Sequence, residues 1–237
     1  MAYEMEYGYG PSAADAGVNE RIGFIRRTYG HVFGAILAFV AIEAALFGSG
    51  MAEGIVKSMF SIPYAGLVLI AAFLGVSYVA SAMARSATST FAQYMGLSLY
   101  VGLEAIIFLP LLYIAELKFP GQMLPMQAGL VTLAIFGGLT LAVMVSGKNF
   151  SFLGPVIWAG SIGALVAIVA SLIFGFSLGI FFAYAMALLM SLSIVYQTSN
   201  IMHEYRTTQH VAAALALFAS VATLFWYILQ IFMSSRD

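Results

Sequence analysis

The chain has 237 residues, 62% of them hydrophobic and 8% charged, with a mean hydropathy of +1.00 and a formal net charge of -1. That composition lies far outside the soluble range and reads as a polytopic membrane protein. It supplies no basic face for phosphates, which excludes nucleic acid as a partner, and the absence of cysteine excludes a disulfide framework and thiolate metal sites.

Residues 1–19 mix Tyr, Glu, Gly and Pro without periodicity and contain no Lys or Arg, so a disordered N-terminal tail is expected there. The tail also lacks the charged-then-apolar pattern of a cleavable leader. Residues 20–237 form the membrane domain. At its start, Ile22, Phe24 and Ile25 alternate with Arg21, Arg26 and Arg27, the pattern of a short interfacial helix leading into the bilayer.

Seven apolar segments follow, at about 29–49, 62–84, 91–115, 126–146, 153–175, 177–201 and 210–233, each near the roughly 20 residues that cross about 30 Å of hydrocarbon. The intervening stretches carry turn or charge signals: GSGMAEGIVK, Ala84-Arg85-Ser86, ELKFPGQMLP, GKNFSFLGP, Gly175-Phe176-Ser177 and HEYRTTQH. In the fifth segment Ala159, Gly163, Ala167 and Ser171 recur every four residues as a small-residue ridge, expected to pack closely on a neighbouring helix.

The seventh segment is different in kind. Ala212, Ala213, Ala214, Ala216, Ala219, Ser220, Ala222 and Thr223 occupy most of its circumference, not one stripe. Small side chains let helix backbones approach closely inside a bilayer, so this helix is expected to be surrounded by the others. The architecture that follows is an all-α polytopic membrane protein of seven transmembrane helices, the central seventh wrapped by two layers of three.

Basic residues set the orientation. Arg21, Arg26, Arg27, Arg85, Lys148 and Arg206 fall on the side of the N-terminus, and Lys57, Lys118 and Arg236 on the other. This bias places the N-terminus in the cytoplasm and, with seven spans, the C-terminus outside the inner (plasma) membrane.

Several stretches carry a likeness. Ser193-Ile194-Val195-Tyr196-Gln197-Thr198 through Ile201, Ala213-Ala214-Leu215-Ala216-Leu217-Phe218 through Leu224-Phe225, Tyr227-Ile228-Leu229, and Thr28-Tyr29-Gly30-His31 resemble the transmembrane Bax inhibitor motif family, and within it the bacterial YccA-like members. The resemblance implies the central-helix fold already inferred. It also implies a calcium leak gated by two proton-sharing aspartates on the sixth and seventh spans. At the matching positions this chain has Gln197 and Ser220, and its aspartates are Asp15 and Asp237, outside the spans. The resemblance therefore implies a member without the paired-aspartate pH sensor, whose Gln197 and Ser220 form a neutral hydrogen-bonding pair.

Ionisable side chains within spans are functional candidates by default. Glu43 in the first span and Glu104 in the third, shortly before Pro110, qualify. Each reads either as part of a cation path or as a structural hydrogen-bonding group. In the sixth span Ser193, Gln197, Asn200 and Glu204 form a polar stripe on one face, flanked by Tyr196 and Thr198. The stripe could line a vestibule or clamp the seventh helix at Ser220. His203 and His210 lack a metal-binding arrangement, nothing marks a cofactor, and no catalytic set is recognisable. Two functions compete: a leak for calcium or another cation through Glu43, Glu104 and the stripe, and a non-conducting protein that binds a membrane protease or other membrane partner, with the N-terminal tail as its contact. Membrane lipid is a partner under both.

Overall fold

The computed structural model describes residues 10–236. Eight α-helices follow one another: α1 (Val18–Gly48), α2 (Met51–Phe60), α3 (Ala65–Ala84), α4 (Thr90–Lys118), α5 (Leu124–Ser146), α6 (Gly154–Phe174), α7 (Gly179–His203) and α8 (His210–Ser234). All except α2 are long and apolar enough to cross a membrane, giving the seven spans expected from the hydropathy. The only pairing of extended backbone among the described residues is an isolated bridge between Ser12 and Arg206.

α8 is the axis of the molecule. It packs against α1, α3, α4, α5 and α7, and 72% of its most apolar window is buried, against 6% for the segment containing α6. Ala213, Ala214, Leu217 and Leu224 are completely enclosed. Around this axis α1, α3 and α4 pack on one another, and α5, α6 and α7 form the other set, in which α6 reaches the bundle mainly through α7. With no hydrophobic drive between helices in lipid, close backbone approach and dispersion must hold such a bundle. Gly96 of α4 shows how close that approach is: a Cβ there would lie 2.5 Å from the Ala80 carbonyl oxygen and 2.7 Å from the Ala84 nitrogen of α3. Aromatic rings fill the space between α8, α1 and α4, where Phe108 stacks on Phe225 at 5.7 Å and meets Phe39 edge-on at 5.2 Å.

Local signals explain the helix ends. The Ser89 hydroxyl accepts from the Ala92 N–H at 3.1 Å and caps α4. Gly175, at φ 72°, ends α6 in the left-handed conformation that a residue with a Cβ rarely adopts, which permits the tight turn into α7.

Four expectations need correction. The interfacial lead-in helix and the first span are one continuous helix, because Phe24, Thr28 and Val32 lie one turn apart and are all buried against the bundle. The glycine-containing stretch after the first span holds α2, which packs Ala52, Val56 and Met59 inward. Residues 10–17 of the expected disordered tail are docked: Ala13 is fully buried and its N–H donates to the Tyr205 carbonyl at 2.8 Å, while residues 1–9 lie outside the described part of the chain. The ridge on α6 is not its packing face. Ala159 and Gly163 are exposed, and Gly160 meets Leu189 of α7 instead.

Candidate functional site

Polar groups within the bundle fall into two sets. The first lies at the junction of α7 and α8. Ser193 and Ser220, both buried, share a hydrogen bond of 2.8 Å, and the Ser220 hydroxyl also reaches the Ala216 carbonyl one turn back at 3.2 Å. Ser220 thus pairs with Ser193 and not with Gln197, whose Oε1 is buried without a hydrogen-bond partner. The expected Gln197–Ser220 pair is therefore replaced by one formed a turn earlier on the same face of α7.

The rest of the stripe serves the end of the bundle that carries most of the basic residues. Thr198 is fully buried and accepts from the Tyr29 hydroxyl of α1 at 3.4 Å. Glu204 accepts from the Asn149 side chain at 3.1 Å. Tyr196 lies against Gly154, where a Cβ would come within 3.2 Å of its ring. Asn200 Oδ1 is buried without a hydrogen-bond partner, while its backbone carbonyl accepts from Glu204 and Tyr205. Ser199, missed in the sequence, binds the linker after α5: its hydroxyl accepts from the Phe150 N–H at 2.7 Å. A run of alternately useful polar residues, Thr198, Ser199 and Asn200, was the available signal. Beside them, burial raises the pKa of Tyr205, partly offset by the positive charge of Arg85.

The second set lies on the far side of α8. Glu104 is 2% exposed and Glu43 7%. Glu104 Oε1 and both carboxyl oxygens of Glu43 are buried without hydrogen-bond partners. Tyr100, one turn before Glu104, interacts with it and with Ser77 of α3. Neither tyrosine nor serine stood out in the sequence, since a lone hydroxyl in an apolar helix gives no periodic signal. α1 and α4 run parallel, because His31 lies beside Tyr94 and Phe39 beside Phe108. Glu43 follows Phe39 by one turn and Glu104 precedes Phe108 by one turn, so at 1.5 Å per residue the carboxyls are about 12 Å apart along the axis. They do not form a pair.

Nor do the two sets meet. Phe218 packs against Tyr100 and Phe39, at 6.2 and 6.4 Å, and so faces α4 and α1. Ser220, two residues later, is turned by about 200° and faces α7. The body of α8 separates the hydroxyl pair from the buried carboxyls.

These features define a class: seven-span α-helical membrane proteins built around an enclosed last helix, with their polar groups placed at its contacts. The chain belongs to the family described as inhibitor of apoptosis-promoting Bax1, whose sequence profile matches residues 21–237. It is 30% identical to an uncharacterized protein of Pseudomonas aeruginosa, over 96% of each chain. It is 26% identical to the modulator of FtsH protease YccA of Escherichia coli, over 90% of this chain and 91% of that one. With lifeguard 4 of Mus musculus it shares 25% identity over 96% and 91% of the two chains.

Proposed function

We propose that the protein is a non-conducting modulator of a membrane-bound protease of the FtsH type, seated as a multi-pass protein in the inner membrane with its N-terminus in the cytoplasm and its C-terminus outside. The observation that carries this reading is the separation of the two polar sets by α8, with the Phe39, Phe108 and Phe225 rings packed between the helices. A cation crossing the bundle needs successive oxygens along one route. The hydroxyl pair and the carboxyls lie on opposite faces of a helix that is enclosed along most of its length. The printed name of the Escherichia coli relative, a modulator of FtsH protease, supports the choice of partner.

Degradation of a membrane substrate by purified FtsH, with and without the full chain in the same liposomes, tests the proposal. Slower degradation with the chain present is expected. An unchanged rate would remove the reading.

A cation leak, with calcium as the ion, is the second reading. Its support is the three buried carboxyl oxygens of Glu43 and Glu104 that have no partner in the chain. Calcium flux into liposomes above that of protein-free vesicles would favour it over the first.

A further inference from the structure

A groove of about 560 Å³ opens between α1 and α4 on the outside of the bundle. Its floor and walls are Gly30, Gly34, Ala35, Ala38, Ile42, Leu97 and Val101, and its mouth is formed by Arg26, Arg27 and His31. The depth of the groove comes from missing side chains: a Cβ on Gly30 or Gly34 would meet nothing within 4 Å. No other helix of the chain fills this space.

The charge at the mouth is uncompensated. Arg26 and Arg27 are exposed and take part in no ion pair among the described residues; Arg27 spends only its Nε–H, on the Gly23 carbonyl at 3.2 Å. His31 is held between the Arg27 carbonyl at 2.6 Å and the Tyr94 hydroxyl at 3.2 Å, which fixes its ring at the edge of the groove. Two free guanidinium groups thus stand over an apolar channel on a membrane-facing surface. Guanidinium groups present several donors in a fixed fork that suits phosphate oxygens.

The dimensions match one leaflet. From Gly30 to Ile42 the helix rises about 18 Å, against about 15 Å for half of the hydrocarbon core. Arg26 and Arg27 stand one further turn out, at the depth of lipid phosphates. We propose that this groove is a binding site for one anionic phospholipid, an acyl chain lying along Gly30, Gly34 and Ala38 and the phosphate held by Arg26 and Arg27. The charge of the mouth selects the headgroup and the glycines admit the chain. A zwitterionic lipid offers the same tails but brings its own cation to the two arginines. A helix from a second copy would cover the glycines but leave both guanidinium groups without an anion, so the lipid is the better occupant.

Native mass spectrometry of the full chain in mild detergent tests the site, with phosphatidylglycerol and phosphatidylcholine of the same acyl chains as probes. One phosphatidylglycerol is expected to bind at least about tenfold more tightly than phosphatidylcholine, from two basic side chains near the phosphate. The double change Arg26→Gln with Arg27→Gln should abolish that preference while weak binding of both lipids persists. Gly34→Leu should reduce binding of both. Inorganic phosphate in excess should leave the bound lipid in place, since the tail contributes to the affinity. Equal binding of the two lipids by the unaltered chain overturns the proposal, as does an undiminished preference in a double variant that keeps the parent's thermal midpoint. A dimer lost on Gly34→Leu, with no lipid bound by the parent, would assign the groove to a second copy and overturn it equally.

Discussion

Ser193 and Ser220, 27 residues apart in sequence, share a 2.8 Å hydrogen bond across the α7–α8 contact. The resemblance to the Bax inhibitor motif family implies proton-sharing carboxyls at this contact; here two hydroxyls join the helices. A hydroxyl pair has no charge to gain or lose at moderate pH. In the bilayer such an interhelical bond contributes roughly 0.6–2 kcal/mol, so it fastens α7 to α8 without acting as a switch.

Restoring carboxyls should restore the switch. In the double variant Ser193→Asp with Ser220→Asp, two buried carboxyls within a few ångströms of each other cannot both ionise, and their folded-state pKa values must rise above the ordinary value of about 3.9. A group whose pKa is higher in the folded state supports folding below its unfolded pKa and loses that support as pH rises through the folded one. Thermal midpoints in detergent should therefore fall from pH 5 to pH 8 for the double variant and stay level for the parent. The change Gln197→Asp with Ser220→Asp should give a weaker slope, because Gln197 is not the residue bonded to Ser220.

Bulk at the centre should cost more than bulk removed at the rim. Ser220 is 5% exposed and Leu172 of α6 is 45% exposed. Ser220→Leu forces side chain into the closest helix contact, for which overpacking costs about 1–3 kcal/mol, whereas Leu172→Ala trims a largely peripheral residue. Denaturation in detergent should rank Ser220→Leu as the less stable. Equal midpoints for Ser220→Leu and the parent would contradict a closely packed α8.

Two glycines should respond oppositely to alanine. At Gly96 the added Cβ would strike α3 backbone, which cannot swing aside, so Gly96→Ala should destabilise by about 1–3 kcal/mol. Gly34→Ala meets open space and gains helix propensity, so its stability should match or slightly exceed the parent's by up to about 1 kcal/mol. The same thermal measurement separates them.

Glu104→Gln keeps the shape of the side chain and its reach towards Tyr100 while removing the titrating proton. The variant should fold as well as the parent, within about 1 kcal/mol. Any variation of stability or calcium flux between pH 5 and pH 8 that the parent shows should flatten. A parent response that persists in the variant would place the responsible group elsewhere.

Orientation is open to a direct measurement. Reporters fused after Lys148 should read cytoplasmic and those near Ser235 external, following the distribution of basic residues across the two sides. Matching locations would contradict an odd number of spans between the N-terminus and Ser235.

The sequence by itself determined the number of spans, the all-α class and the enclosed position of α8. Span length is dictated by the bilayer, and a helix with small residues around most of its circumference can be surrounded but has no use for lipid. Glu43 and Glu104 were legible for the same reason: a charge-bearing side chain in an apolar run is visible without knowing its neighbours. Only tertiary structure decided what each polar residue meets. Helical periodicity defines the faces of one helix and leaves undetermined the height and rotation at which a neighbour packs. Ser193 and Gln197 lie on the same face of α7, and the height of α8 against it selects Ser193 as the partner of Ser220. The α6 ridge was legible as a ridge, but the rotation of α6 turns Gly160 towards Leu189 and leaves Gly163 in the open. The groove of Gly30 and Gly34 likewise exists only because no other helix of the chain occupies it, a fact about the whole bundle that no stretch of α1 contains.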